Sequence, residues 1–380
     1  MDFEQILAWR HHLHKHPELS RQEFETSNYI YSELSAFPNI RLSRPTQTSV
    51  VAEVGQGEPV ILYRADIDAL ACQETIEEEW KSANSGVAHT CGHDTHAAML
   101  MGAAKELSEH TDRLNGTVRM VFQHSEEKKP SGAEELVNAG VCKGVKYAFG
   151  MHIVTCQPTG SIYITEGPTT TASSRFELHI KGRGAHTATP ELSIDPVYVG
   201  AQVVVAVQSI ISRNTPPAET ATISFGEFKT GTASSVIPET AYLSGSMRSF
   251  RREFTDFLEE RFRQVVEGVC KTYGAEVEIV ITKGLPPTVN DPAACRAVEA
   301  AANKTVGSEK VLYGAEASNA GDDFAFYAQA VPSCYFRLGG GEAKDGCGYM
   351  NHNPAFRVVE SALLSGAETW VQIAYDLLGK

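Results

Sequence analysis

Apolar residues recur at helical spacing from the start of the chain. Phe3, Ile6, Leu7 and Leu13 predict an amphipathic helix over residues 2–15, ended by His16-Pro17. The pattern then becomes a continuous apolar run, Val60-Ile61-Leu62-Tyr63, as expected of a strand covered on both faces. A helix follows over 96–109, with Met99, Leu100, Ala103 and Leu107 turned inward, then a strand over 117–123. A helix over 133–139 closed by Gly140 and a strand over 147–152 complete this part. The alternation predicts an α/β domain with a mostly parallel central sheet and helices on both faces.

Near residue 170 the texture changes. Thr169-Thr170-Thr171-Ala172-Ser173-Ser174 reads as a polar, small-residue linker. Beyond it Phe176, Leu178 and Ile180 alternate with Glu177, His179 and Lys181, the pattern of a half-buried strand. A helix opened by Asp195 and Pro196, strands near 220–226 and 241–249, a long helix over 252–273 and a strand over 276–282 give the order βαββαβ. That is the ferredoxin-like plan, expected as an inserted domain over 172–285. The main domain is then expected over 1–171 and 286–380, with a helix at 292–305, a segment at 318–329, a strand at 333–338 and a final helix at 358–379.

Polar residues gather where these strands end. Residues 89–96 read His-Thr-Cys-Gly-His-Asp-Thr-His, and Cys91 and His93 are ordinary ligands for zinc and related ions, with Asp94 placed to orient an imidazole. Asp66 and Asp68 follow one strand, where they could bind metal, pair with Arg64 or, as expected here, orient a ligand. Glu126 and Glu127 follow the next, and His152 ends a third. His352 lies in a later loop. Chemistry in open α/β sheets collects at such carboxyl ends. If Cys91, His93, Glu127, His152 and His352 converge, five ligands including a thiolate able to bridge suit two divalent ions rather than one. One carboxylate of the Glu126-Glu127 pair can then bind metal while its neighbour moves protons. His186, in a glycine-flanked turn, is a candidate donor to an oxyanion. Arg248, on the polar face of an alternating strand, is a candidate clamp for a substrate carboxylate. Hydrolysis of an amide is the reaction this set suits. Four histidines at 11, 12, 14 and 16 read instead as a solvated or supporting patch.

Composition narrows the setting. The net charge of −14 comes without a basic cluster, which argues against nucleic acid. No apolar run approaches a membrane span, and residues 1–10 lack a secretory pattern. Eight scattered cysteines with no CxxC pair point to reduced thiols and a cytoplasmic setting.

Several motifs together carry a resemblance. His-Pro-Glu-Leu-Ser at 16–20, Arg-Ala-Asp-Ile-Asp-Ala-Leu at 64–70, His-Thr-Cys-Gly-His-Asp at 89–94 and the Glu126-Glu127 pair appear in order. They are followed by Gly-Met-His at 150–152, Gly-Arg-Gly-Ala-His at 182–186 and His-Asn-Pro-Ala-Phe at 352–356. From about residue 10 to about residue 375 the chain resembles the amidohydrolase branch of the aminoacylase/carboxypeptidase metallopeptidases. That branch includes hippurate hydrolases, N-acyl-amino-acid deacetylases and plant auxin-conjugate hydrolases.

The resemblance implies a zinc-peptidase-like catalytic domain, with Cys91 bridging two ions and His93, Glu127, His152 and His352 as the other ligands. It implies Glu126 as general acid/base, a lid or dimerisation role for the inserted domain, a homodimer, and zinc, manganese, nickel or cobalt as the metal. Where the family has Asn before Val-Ile-Pro, this chain has Ser235, which bears on how a substrate carboxylate is held. The family's Gln-Pro-Ala-Glu-Glu is Gln123-His124-Ser125-Glu126-Glu127 here, its Gly-Glu-Asp-Phe is Gly321-Asp322-Asp323-Phe324, and Ala71-Cys72 stands after Leu70. The expected substrate is an N-acyl amino acid. The alternatives are a dipeptidase or carboxypeptidase with the same site, and a homologue that binds such molecules without turnover.

Overall fold

Strand β3 (Val60–Asp66) is buried at every position and lies inside an eight-stranded sheet. With β1 (Ile40–Ser43), β2 (Val50–Gln56), β4 (Gly116–Gln123), β5 (Val145–Val154), β6 (Ile162–Ile164), β7 (Val311–Tyr313) and β8 (Ser333–Gly339), the order is β1-β2-β4-β3-β5-β8-β6-β7. The central run β4-β3-β5-β8 is parallel. β1 and β2 run antiparallel on one side, and β6 is antiparallel to β8 on the other. The sheet is therefore mixed, with a parallel centre.

The computed structural model describes all 380 residues. Met1–Thr169, Thr288–Ala317 and Asp322–Lys380 form one unit; Thr170–Pro287 and Ser318–Gly321 form another. In the first, helices α1 (Phe3–Lys15), α3 (His93–Glu109), Pro292–Thr305 and Ala362–Leu378 pack on one face of the sheet through Ile6, Met99, Val298 and Trp370. Helices α4 (Gly132–Asn138) and Ala325–Ala330 cover the other face through Leu136 and Tyr327, against Leu62, Val121 and Ala148. A strand covered on both sides has no polar face, which is why β3 reads as an unbroken apolar run.

Three stretches of the chain differ from expectation. Helix α3 begins at His93 rather than residue 96, so the histidine lies in its first turn. Helix α2 (Phe24–Ser35) and the antiparallel strands β1 and β2 were not foreseen. The threonine stretch is not a linker: Thr169, Thr170 and Thr171 are buried, and a strand begins at Ala172. The reason is local bonding. The Thr171 hydroxyl donates to Asn319 O at 3.0 Å and its N–H to Ala320 O at 3.2 Å, so small polar side chains are satisfied without water.

The second unit has four antiparallel strands in the order Ala221–Thr230, Thr240–Ser249, Ala172–Lys181, Glu276–Lys283. Helices Pro196–Ser209 and Arg252–Thr272 bury Val203, Val207, Phe262 and Val266 against Phe176, Leu178 and Leu243. Asp195 caps the first helix by accepting from the N–H groups of Val197 and Tyr198.

Candidate metal centre

The parallel strands β4, β3 and β5 are neighbours, so their carboxyl ends fall on one edge of the sheet. Asp66 ends β3, Glu126 and Glu127 follow β4, and His152 lies near the end of β5. Gly92 makes the turn into α3 with φ +93°. A Cβ there would sit 2.6 Å from Ile153 Cγ2, so only glycine lets Cys91 and His93 approach β5.

These placements bring the five expected ligands together in two groups that share one thiol. The ligand atoms of Cys91, His93 and His152 lie within 4.8 Å of one another, as do those of Cys91, Glu127 and His352. Cys91 Sγ is 3.4 Å from His152 Nε2, and Glu127 Oε1 is 3.2 Å from His352 Nε2.

Hydrogen bonding decides which imidazole nitrogens are free. His152 Nδ1 faces the Ile153 carbonyl at 2.7 Å, and His93 Nδ1 faces the Asp68 carbonyl at 2.9 Å. A carbonyl only accepts, so both Nδ1 atoms carry a proton and both Nε2 atoms are turned inward. Burial opposes charge on His93, but Asp66 and Cys91 outweigh it and raise its pKa well above the ordinary value, so a bound cation would take the place of the Nε2 proton. His93 Nε2 is buried and hydrogen-bonded to nothing, and the buried Glu127 Oε1 has the His352 imidazole near it, with no hydrogen bond formed. Buried polar atoms are normally paired, so a buried nitrogen and carboxylate oxygen left without hydrogen bonds here fit the place of a cation. Burial pushes the Cys91 thiol up. Burial, helped by His96, holds His152 down at about 3, so it is a neutral donor. A coordinated cation would remove the thiol proton that burial retains.

The supporting residues sort themselves by partner. Asp68 Oδ1 lies 3.2 Å from His93 Nδ1, while its Oδ2 accepts from Ser20 Oγ at 2.6 Å and from the Glu127 N–H at 3.0 Å. It ties two of the expected ligands together, the placement of an orienting carboxylate. Asp66 pairs with Arg64 and accepts a hydrogen bond from His96 Nδ1 at 2.6 Å. Asp94 differs from expectation. Its carboxylate accepts from Arg10 Nε and His14 Nδ1, both at 2.9 Å, and so orients none of the expected ligands. In the first turn of α3 it points away from His93, toward α1.

Sequence reasoning missed His96, Asp322 and Asp323. His96 Nε2 accepts the Ile153 N–H at 2.9 Å, so both its nitrogens are occupied and none is left for a metal. Arg64 is buried and donates to Gln123 and Asp323 as well as Asp66, with Asp322 at 3.3 Å. Asp323 also accepts from Ser131 Oγ at 2.7 Å. Glu126 stands half-buried beside this cluster, accepting the Asp323 N–H at 3.4 Å. Burial raises its carboxyl well above the ordinary value, and Asp322, Asp323 and Glu127 add to the rise. The departure from Gly-Glu-Asp-Phe at 321–324 was the one sequence signal near these aspartates.

In the second unit, Ala185–His186 pairs with Val236–Ile237, so His186 and Ser235 lie on one ribbon. His186 is exposed, and its Nδ1 accepts the Ala188 N–H at 3.0 Å. Arg248 donates to Asn319 O at 3.1 Å.

The sequence pattern of the peptidase family M20/M25/M40 matches residues 62–376. An N-acyl-L-amino acid amidohydrolase of Geobacillus stearothermophilus is 42% identical over 287 residues, 75% of this chain and 78% of that protein. An N-acetylcysteine deacetylase of Bacillus subtilis (strain 168) is 37% identical over 98% of this chain and 97% of its own. Among solved structures, the Bacillus subtilis YxeP protein, described as a dinuclear metal binding peptidase, superposes with a TM-score of 0.86 at 34% identity, covering 99% and 98% of the two chains.

Proposed function

The chain belongs to peptidase family M20/M25/M40, as a metal-dependent hydrolase of its amidohydrolase branch, and from that premise we propose that it removes the acyl group from N-acyl amino acids. The observation that carries the metal part is the facing of unpaired, buried His93 Nε2 and Glu127 Oε1 within two ligand groups that share Cys91. Cys91, His93 and His152 would hold one ion, and Cys91, Glu127 and His352 the other, with the thiolate shared between them. Zinc, manganese, nickel and cobalt all suit this mixture of thiolate, imidazole and carboxylate. A pair of divalent ions there supplies an acidified water and an electrophile for the amide carbonyl.

The chain's own residues do the rest. Glu126, its carboxyl raised, takes a proton from the attacking water and gives it to the leaving amine nitrogen. Asp68 keeps His93 turned with Nε2 inward. His186 is assigned to the oxyanion, and Arg248 and Ser235 to the substrate carboxylate. The strand order of the second unit supports a ferredoxin-like lid or dimerisation domain, and the exposed Val197, Tyr198 and Val205 support a homodimer through it. Eight free thiols support a cytoplasmic setting. No helix is long and apolar enough to cross a membrane.

The test is amine release from N-acetyl, N-benzoyl and N-carbamoyl amino acids and from dipeptides, using metal-stripped chain with and without added Mn²⁺ or Zn²⁺. Metal-dependent release from the N-acyl set is expected. Release from dipeptides alone would make the chain a peptidase, and silence in metal-loaded protein would leave a binding homologue. Glu126→Gln is expected to keep its metal by elemental analysis and to lose about 10²–10⁴-fold in kcat. An active variant would end its acid/base role.

A further inference from the structure

The segments that carry His152 and His352 meet a second time, away from the ligands, at two cysteines. Cys156 lies two residues beyond β5, exposed, in a left-handed conformation with φ +59°. Its N–H donates to the Cys347 carbonyl at 3.3 Å, and its thiol reaches the same oxygen at 3.6 Å. Gln157 and Gly341 pair next to it as an antiparallel bridge, and Thr155 Oγ1 donates to Tyr349 O at 2.7 Å. Cys347 is buried and turned against Gly341, where an added Cβ would lie 2.9 Å from its sulfur. The single backbone N–H···O=C bond of 3.3 Å holds the Cα atoms of Cys156 and Cys347 roughly 5–6.5 Å apart, inside the roughly 4.4–6.8 Å window that a disulfide needs.

We propose that Cys156 and Cys347 form a thiol–disulfide exchange site, modified by small-molecule disulfides, whose cross-link ties the loop bearing His352 to the end of β5. The Cys156 thiolate attacks one sulfur of the reagent, forming a mixed disulfide and releasing one thiolate. Cys347 then loses its proton and attacks the Cys156 sulfur. The second reagent thiolate leaves, so the reagent is reduced by two electrons and the pair is oxidised by two. Exposure sets the order, because the free Cys156 is reachable and Cys347 is not. Burial also pushes the Cys347 thiol up, which makes it the poorer first nucleophile. Cys295 and Cys334 are wholly buried and out of reach of such reagents. A cross-link at this point restricts how far His352 can swing from Glu127, so an ion held between them escapes more slowly. That last consequence rests on the ligand set proposed above.

The experiment treats zinc-loaded full-length chain with glutathione disulfide, counts free thiols after denaturation and maps the peptides without reduction. The expected result is a fall from eight thiols to six, a Cys156–Cys347 peptide and no retained glutathione. Cys347→Ser should instead hold one glutathione on Cys156. Cys156→Ser, changed at an exposed position and therefore safe for folding, should keep its remaining thiols free. Eight persistent thiols, or glutathione retained on Cys156 of the unaltered chain, would overturn the site. Zinc release to a chelator should be several-fold slower after oxidation, and an unchanged rate would overturn the tether. If the reduced chain binds no zinc at all, the ligand set fails while the thiol count still judges the cysteine pair.

Discussion

Residues 11–16 and 89–96 are both rich in histidine, and the fold uses them in opposite ways. In the first stretch every ring has company. His11 stacks on Trp80 with centroids 5.1 Å apart, His12 stacks on Tyr29 at 3.7 Å, and His14 is held between Asp94 and Glu74, each at 2.9 Å. In the second stretch His96 is equally saturated, but His93 has one nitrogen fixed by the Asp68 carbonyl and the other open. His89 is buried, held neutral by that burial at about 4, and has neither nitrogen paired. The number of histidines therefore says little about chemistry. What distinguishes a ligand is an acceptor that the protein orients and then leaves unpaired.

The contrast can be broken most severely at the open nitrogen. His93→Ala and Cys91→Ala should each lose bound metal by elemental analysis, with deacylation falling to background. Retention of both ions in Cys91→Ala would remove the bridging role. Next in size is His14→Gln, which takes the imidazole from between two buried carboxylates and should destabilise the fold by about 3–5 kcal/mol near pH 6. Burial opposes charge on His14, but Asp94 and Glu74 outweigh it, and its pKa is raised above 6.5. A raised folded-state value means that the stabilisation is complete below the unfolded pKa and fades as pH rises through the folded one. The gap between wild type and His14→Gln in thermal unfolding should therefore narrow in alkali, and a gap that widened would contradict the arrangement.

Smaller effects sharpen the same division. Asp68→Ala keeps the backbone carbonyl that holds His93 Nδ1 but removes the carboxylate beside that nitrogen and its bond to the Glu127 N–H, and should weaken metal affinity by about 10-fold in a chelator competition. His12→Gln, at the stacked and partly exposed ring, should leave metal content unchanged and stability within about 0.5 kcal/mol. Loss of metal from that variant would erase the distinction between the two stretches.

Legibility from sequence followed the same physics. The strand at Val60–Tyr63 and the alternation at Phe176–Lys181 were readable because burial on two faces or one leaves a direct trace in residue type. The five residues expected as ligands could be picked out because strand ends and motif order mark them, and the fold brings their side chains together. Helix α2 was not, since Phe-Glu-Thr-Ser-Asn-Tyr-Ile-Tyr-Ser-Glu-Leu-Ser buries Thr26 and Ser27 alongside Ile30 and Leu34, which blurs the apolar period. The threonines at 169–171 misled because side-chain hydroxyls bonded to carbonyls can be buried without looking apolar. Asp323 reaches Arg64 across more than 250 residues of chain, and the Asp94–His14 pair spans 80. Neither partner is visible until the sheet is assembled.

Helix α3 is buried along nearly its whole length, from His93 through Ala104 and again at Leu107 and Ser108. Its amides can therefore meet deuterium chiefly when the surrounding unit opens globally, not by fraying of a surface helix. Because His93 occupies the first turn, the ligand cluster should share that slow exchange class. Metal occupancy and cooperative unfolding of the first unit then become one transition, and an ion added to the folded chain should raise the protection of α3 as a block rather than residue by residue.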